Sequence, residues 1–383
     1  MIACSSRVAD ARRVLLIHAT DPAAPPGGRA MLSRINARLL RELLGDDLVD
    51  FRLPVRPGTP RGAIRGHVDG IDDSSLGDIL DQVRTARIDT VFFDGSNLGA
   101  AASAIKTARP DVRVITFFHN VEARFFWGSL RARRSVRSIA VLIANYIAER
   151  KAVRASDVLV VLSDRDSAGL HRLYGRAADV IAPIVLDDTH PVSVPPVDDL
   201  PVSSGTRYML FVGGSFYANI EGIDWFVREV APRTALHVMV VGRGMEILAE
   251  RFAGNAAVTL VGGVDDLSKF YADAALVIAP IFDGSGMKTK VAEALMHGKR
   301  VAGTPEAFSG YAEDVVAANW CCGDADAFVA VIDAITATPL PPYAGALRAM
   351  YERDHSPAAA RARLACTLGV APQNSTEFRS SPL

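Results

Sequence analysis

The sequence predicts an α/β fold of two doubly wound domains, and three observations carry that expectation. The strand candidates are apolar throughout instead of alternating, the pattern of parallel strands covered on both faces. Helical patterns separate them. Near the middle of the 383 residues, "LDDTHPVSVPPVDDLPVSSGT" at 186–206 breaks the rhythm with Pro, Asp and Ser. The length favours two cores of roughly 100 to 200 residues each.

The first half offers "RVLLIHA", "TVFFDG", "RVITFFH" and "DVLVVLS" as strands, and the second "YMLFVGG", "HVMVVG", "VTLVGG", "LVIAPIF" and "KRVAGT". Most end at Gly, Asp, Ser or His, where α/β sheets place loops that meet ligands. The Pro-rich stretch reads as a linker over 187–206, and the end, "APQNSTEFRSSPL", as a tail without periodicity.

A composition of 49% hydrophobic and 22% charged residues excludes global disorder. The formal net charge is −1, yet from Arg124 to Arg154 eight Lys or Arg face one acid, Glu149. That is a local basic patch, not a nucleic-acid-binding composition. The four cysteines lack metal-ligand spacing, so a reduced, cytoplasmic protein is expected. The apolar segment in "MIACSSRVADARRVLLIHAT" is short for a signal peptide and reads as the first strand. The later run "IAVLIA" is far below the roughly 20 residues that cross a bilayer.

The most informative stretch is "DGSGMKTKVAEALMHG", 283–298, directly after "ALVIAPIF". It reads as a strand-to-helix turn with a helix over 287–297 and Gly298 at its end. Free N–H groups at a helix start favour an anion, and glycines let the backbone approach it. Lys288 and Lys290 add positive charge where a diphosphate can sit. At about 100° per residue Glu293 falls on the side of Gly286, Thr289, Lys290 and His297, away from Val291 and Leu295. An exposed helix with a Lys290–Glu293 surface pair fits the same spacing. A Walker-type loop is excluded, because Ile281 stands where its first glycine belongs and Met287 follows Gly286.

With "LFVGGSFYANIEGIDWF", "VTLVGGVDDLSKFYADAALVIAPIFDGSGMKTKVAEALMHGKRVAGTPEAFSGY" and "ITFFHNVEARFF", the chain resembles bacterial GT-B glycosyltransferases of the retaining family four. The resemblance runs from about residue 14 to residue 330. It implies two Rossmann-like domains, their parallel sheets facing a central cleft: an acceptor-side domain over 1–186 and a nucleotide-sugar domain over 207–345. A C-terminal helix over 346–369 would pack back on the first domain, leaving a disordered tail at 370–383.

By the same resemblance Gly213 and Gly214 match the glycine loop beneath the diphosphate, although a tight turn explains them equally. Val264 matches the position that reads the base edge, and Glu293 the ribose ligand. The family's first glutamate is absent from its spacing: eight positions before Glu293 stands Ser285, and the nearest acid is Asp283. The backbone of Ser285, Gly286 and Met287 can still hold the sugar. The loop "SFYANIEG" lacks the Arg and Lys of many relatives, so Lys290 foremost, with Lys288, would supply the charge. Arg243 is a further candidate. His119, closing "RVITFFH", matches the histidine that contacts the donor sugar. Glu122 caps the next helix or orients the acceptor. Gly27 and Gly28 border the acceptor site in relatives, or merely turn a loop shaped by Pro25 and Pro26.

The implied reaction moves a sugar from a nucleotide diphosphate sugar to a glycan or lipid-linked acceptor with retention. No cofactor or metal is expected; "SDRD" at 163–166 reads as a helix cap. The basic, aromatic run "RFFWGSLRARRSVR" suits an anionic membrane surface, hence a peripheral position at the inner face of the cell membrane, or is a solvated face. A nucleotide-sugar 2-epimerase and a non-catalytic nucleotide-sugar-binding protein are the alternatives.

Overall fold

The computed structural model describes residues 12–19, 28–54, 56, 59–132, 135–188, 207–284 and 286–371. The chain divides into two compact units. One runs to Val185 and resumes at Pro357, and the other is Leu186–Ser356.

The first unit is built on β1 (Val14–His18), β2 (Leu48–Arg52), β3 (Thr90–Asp94), β4 (Arg113–Phe118), β5 (Val158–Val161) and β6 (Val180–Ile181). They lie in the order β2-β1-β3-β4-β5-β6, every pairing parallel. β3 is buried at all five positions, and β1, β4 and β5 nearly so, which explains why the sequence shows no alternation there. The chain leaves β1 for β2 on one side and then crosses to β3 on the other. At such a switch point a crevice forms beyond the carboxyl ends of the strands.

The second unit repeats the plan with β7 (Tyr208–Val212), β8 (His237–Val241), β9 (Val258–Gly262), β10 (Ala274–Ala279), β11 (Val301–Gly303) and β12 (Trp320–Cys321). Their order is β12-β11-β10-β7-β8-β9, again parallel, so the switch point lies between β7 and β10. All nine strands expected from the sequence form. The three it does not reveal, β2, β6 and β12, are outer strands of mixed or minimal sequence, half covered and short of the apolar signal.

The single helix expected over 346–369 is two, Gly345–Asp354 and Pro357–Leu368. Pro357 has no N–H to continue a helix and is pre-set to begin one, so the chain breaks at 355–356. The first piece stays in the second unit, where Arg348 donates to the Met296 carbonyl at 2.9 Å and pairs with Asp188. The second belongs to the first unit: the Arg113 guanidinium donates to the Thr367 and Leu368 carbonyls at 2.8 and 3.3 Å. Most of the expected linker, 189–206, and of the tail, 372–383, lie outside the described residues. Among those described, no helix is long and apolar enough to cross a membrane.

Candidate functional site

In the second unit the switch point gathers the ends of β7 and β10 and the helix Thr289–Met296. Lys288 takes the N-cap position and Gly298, at φ 61°, follows the last turn in the left-handed region that glycine adopts freely. The helix is thus two residues shorter at its start than the sequence suggests. The Tyr311 hydroxyl explains part of this. It donates to the Lys288 carbonyl at 2.7 Å and accepts from the Ala292 N–H at 3.0 Å, inserting itself into what would be a helical hydrogen bond. The Val291 N–H donates to the Lys288 carbonyl at 3.1 Å, whereas the N–H groups of Thr289 and Lys290, the first two helical positions, have no intrahelical acceptor by geometry.

Lys290 is 6% exposed and its Nζ donates to Asn219 Oδ1 at 2.7 Å, while standing 4.2 Å over the Phe211 ring. Asn219 uses its other end too: Nδ2 donates to the Gly214 carbonyl at 2.9 Å. The amide therefore ties the ammonium to the glycine loop after β7. Burial, reinforced by the Lys288 charge, pushes Lys290 down to about 7. The loop itself depends on close backbone approach. Gly213 lies against Gly242, where a Cβ would stand 1.9 Å from the Gly213 carbonyl oxygen at φ 157°. Only glycine fits there.

Lys288 is committed differently from the sequence expectation. Its ammonium donates to the Gly286 carbonyl at 2.9 Å and to Glu306 Oε1 at 3.0 Å, so its charge is matched by a carboxylate from the segment after β11. Glu293 is half-buried and accepts from the Tyr271 hydroxyl at 2.9 Å. Burial raises its carboxyl above the ordinary range, against that hydrogen bond and Lys290. Tyr271 is in turn stacked on His297, centroids 4.3 Å apart.

Asp283 is exposed and receives the Tyr217 hydroxyl at 3.0 Å and the Gly284 N–H at 2.7 Å. Gly286 is half-buried and Met287 buried; Ser285 lies outside the described residues. Arg243 is exposed, its carbonyl accepting from the Ser215 N–H at 3.2 Å beside Gly214. Val264, two residues past β9, is half-buried. Lys290, Gly213, Gly214, Arg243 and Asp283 are thus linked through Asn219, Ser215 and Tyr217 in one unit.

In the first unit a second cluster lies at the β1/β3 switch point. His119, just past β4, directs Nε2 at Asp94 Oδ1 at 3.2 Å, and Asn36 Nδ2 donates to the same oxygen at 2.9 Å. Ser33 Oγ is 3.4 Å from the ring nitrogen. Burial alone would hold Asp94 neutral, but His119, Ser33 and Asn36 overcome it and keep the carboxylate well below its usual range. Asp94 Oδ2 and His119 Nδ1 are buried and have no hydrogen-bond partner among the described residues.

Glu122 starts the helix Glu122–Ala132 but does not cap it. Glu149, fully buried on the helix Val136–Ala155, accepts from the Glu122 and Ala123 N–H groups at 2.9 and 3.2 Å and from Ser96 and Tyr174 hydroxyls. A distant carboxylate thus does what the sequence expects of Glu122. Burial pushes Glu122 up to about 7; Arg29 opposes this and Glu149 adds to it. Gly28 opens the helix Gly28–Leu44 that carries Arg29, Ser33 and Asn36; Gly27 lies outside the described residues. Ser163 caps the helix Asp164–Tyr174 through the Asp166 N–H at 3.2 Å, as "SDRD" predicts.

Residues 206–337 match the family model for glycosyl transferases group 1. That match covers the whole Lys290–Asn219 site and none of the first unit. Across nearly the full length the chain is similar in structure to sucrose-phosphate synthase from Thermosynechococcus elongatus, at 16% identity and TM-score 0.64, covering 92% of this chain and 97% of that one. It is likewise similar to HepE of Anabaena, solved with UDP and glucose, at 14% identity and TM-score 0.63, covering 94% and 100%. A third likeness is to the lipopolysaccharide outer core galactosyltransferase WaaB, at 10% identity and TM-score 0.61, covering 93% and 99%. These likenesses establish the two-unit α/β architecture of the GT-B fold. No curated protein sequence matches the chain.

The stretch "DGSGMKTKVAEALMHG" exposes Lys290 and Glu293 to a sequence reader, but not Asn219, Tyr271, Glu306 or Tyr311. Asp94, Asn36, Ser33 and Glu149 were equally hidden. One signal existed for Asp94: a carboxylate closing an otherwise apolar strand, "TVFFD".

Proposed function

We propose that the chain is a retaining glycosyltransferase that moves a sugar from a nucleoside diphosphate sugar to an acceptor hydroxyl. The observation that carries this reading is the buried Lys290 ammonium, tied by Asn219 to the glycine loop at the switch point of the matching unit. HepE, solved with UDP-glucose and with UDP, lends support as a protein of the same fold.

In this reading the diphosphate lies against the start of the helix Thr289–Met296, where N–H groups and Lys290 stabilise negative charge. Charge grows on the leaving phosphate as the bond from the anomeric carbon to its oxygen breaks. The acceptor oxygen forms its bond to the same face, and its proton passes to the departing phosphate. Protein-borne positive charge carries most of the catalysis, and no step calls for a metal. Glu293, oriented by Tyr271, accepts from the ribose hydroxyls. Gly286 and Met287 offer backbone to the sugar, Asp283 accepts from the Tyr217 hydroxyl, and Arg243 and Val264 flank the nucleotide. Within the first unit, this reading gives His119, held by Asp94, a role toward the sugar, and Glu122 and Gly28 a role toward the acceptor.

A donor panel titrated by calorimetry tests the assignment. Nucleoside diphosphate sugars should bind wild type at micromolar to millimolar Kd and weaken at least tenfold with Lys290→Ala. Equal binding to both proteins would remove Lys290 from the donor site.

A further inference from the structure

The helix Val136–Ala155 carries a face that neither cluster uses. Val136, Ile139, Ile143 and Tyr146 are 85%, 46%, 50% and 36% exposed. Their spacing of three, four and three puts them in one stripe at about 100° per residue. Arg150 and Arg154, both exposed, continue the stripe toward the helix end, so that it runs for about 27 Å. On the opposite side Ala144, Ala148 and Ala152 are buried and let the helix pack closely on its own unit. A contiguous row of exposed large apolar side chains marks a surface that a partner covers.

The neighbouring helix Glu122–Ala132 widens this face. Its Trp127 is 56% exposed and lines one cavity together with Ile143 and Tyr146. The only acids on the two helices, Glu122 and Glu149, are buried, whereas Arg124, Arg137, Arg150 and Arg154 are exposed. Arg137, Arg150 and Arg154 make no ion pair among the described residues. The sequence expectation rested on the run 124–137; its side chains 131–134 lie outside the described residues, and the face stands without them. Val136–Ala155 has 20 residues but includes Arg137, Glu149, Arg150, Lys151 and Arg154, and it is not apolar enough to cross a bilayer.

We propose that this face lies on an anionic lipid surface, with the axis of Val136–Ala155 along the membrane plane. Val136, Ile139, Ile143 and Trp127 then enter the boundary between headgroups and acyl chains, and Arg137, Arg150 and Arg154 meet lipid phosphates. Charge complementarity sets the sign of the partner, and the side-chain chemistry sets its kind. Trp and Tyr are apolar rings with one polar atom, suited to the headgroup level, and arginine stems cover apolar surface while the guanidinium reaches phosphate. A nucleic acid would leave the stripe in water. A protein would need an acid placed opposite each arginine, whereas a bilayer offers phosphate at every point along the helix. The inference is independent of the glycosyl-transfer reading.

The test is co-sedimentation of the full chain with vesicles of phosphatidylcholine, with and without phosphatidylglycerol, at low and at high salt, with circular dichroism to verify the fold. The chain should bind the anionic vesicles at low salt, leave them at high salt, and bind phosphatidylcholine alone far more weakly. Each basic residue near such a surface strengthens binding about fivefold, so Arg150→Ser combined with Arg154→Ser should weaken it about 25-fold. Ile143→Asp should weaken it at least about tenfold. Tryptophan emission should move to shorter wavelength on anionic vesicles, a shift that Trp127→Phe removes. Absence of binding to anionic vesicles overturns the proposal, as does a folded Ile143→Asp or double-arginine variant that sediments as wild type, or an emission shift that persists in Trp127→Phe. Concentration-dependent dimerisation without vesicle binding assigns the stripe to a second copy, and soluble polyglutamate bound as tightly as vesicles assigns it to an acidic protein; either result overturns the proposal too.

Discussion

Asp94 Oδ1 lies 3.2 Å from His119 Nε2, and both side chains are almost wholly removed from solvent. The carboxylate fixes the imidazole with Nε2–H directed at Asp94. Asp94→Asn keeps the shape but loses the charge that sets this tautomer. Turnover should fall by roughly 10²-fold, with nucleotide affinity within twofold of wild type, the scale of a lost positioning interaction. Steady-state kinetics with separate UDP titration checks it.

Donor affinity should depend on pH through Lys290. Burial holds it at about 7, so near neutrality the empty site is about half charged, and on the proposed reading a diphosphate binds the charged form. UDP binding should therefore weaken as pH rises above 7, approaching tenfold per unit, and Lys290→Arg should flatten the profile because a guanidinium stays charged. A flat wild-type profile between pH 7 and 9 would count against a direct contact.

Stability should move the other way. A lysine lowered from 10.5 to about 7 by folding binds its proton better in the unfolded chain, so stability rises with pH across that window. Lys290→Met replaces a costly buried ammonium with an unbranched apolar chain over Phe211. Tm at pH 7 should rise by a few degrees while UDP binding is lost, which differential scanning calorimetry and titration can read together.

Glu122 gives a second pH signature. Its carboxyl, ordinarily near 4.5, is pushed up to about 7, so the folded chain holds the extra proton between those values. That contribution is complete below 4.5 and is lost as pH climbs through 7. Glu122→Gln should leave stability at pH 5 nearly unchanged and raise it at pH 8, measured by urea unfolding at both values.

The inner strands were legible because burial on both faces forces continuous apolar runs, as in "TVFFD" and "ALVIA". The outer strand "LVDFR" carries Asp50 and Arg52 toward partly open positions and reads as loop. The candidate site was legible where chemistry is contiguous, with Lys290 and Glu293 three apart on one helix. It was illegible where topology assembles it. Asn219 reaches Lys290 across 71 positions and Asn36 reaches Asp94 across 58, and no local pattern encodes either meeting. Lys288 shows the converse limit: its charge was visible in sequence, its partner Glu306 was not.

Proton NMR of the anomeric signals during turnover shows directly whether the chain transfers a sugar with retention. With an α-linked nucleoside diphosphate sugar and a glycan or lipid-linked acceptor, an α-configured glycoside should form in step with free nucleoside diphosphate and be absent with Lys290→Ala. A β-configured product, or an epimerised nucleotide sugar with no glycoside, would contradict it.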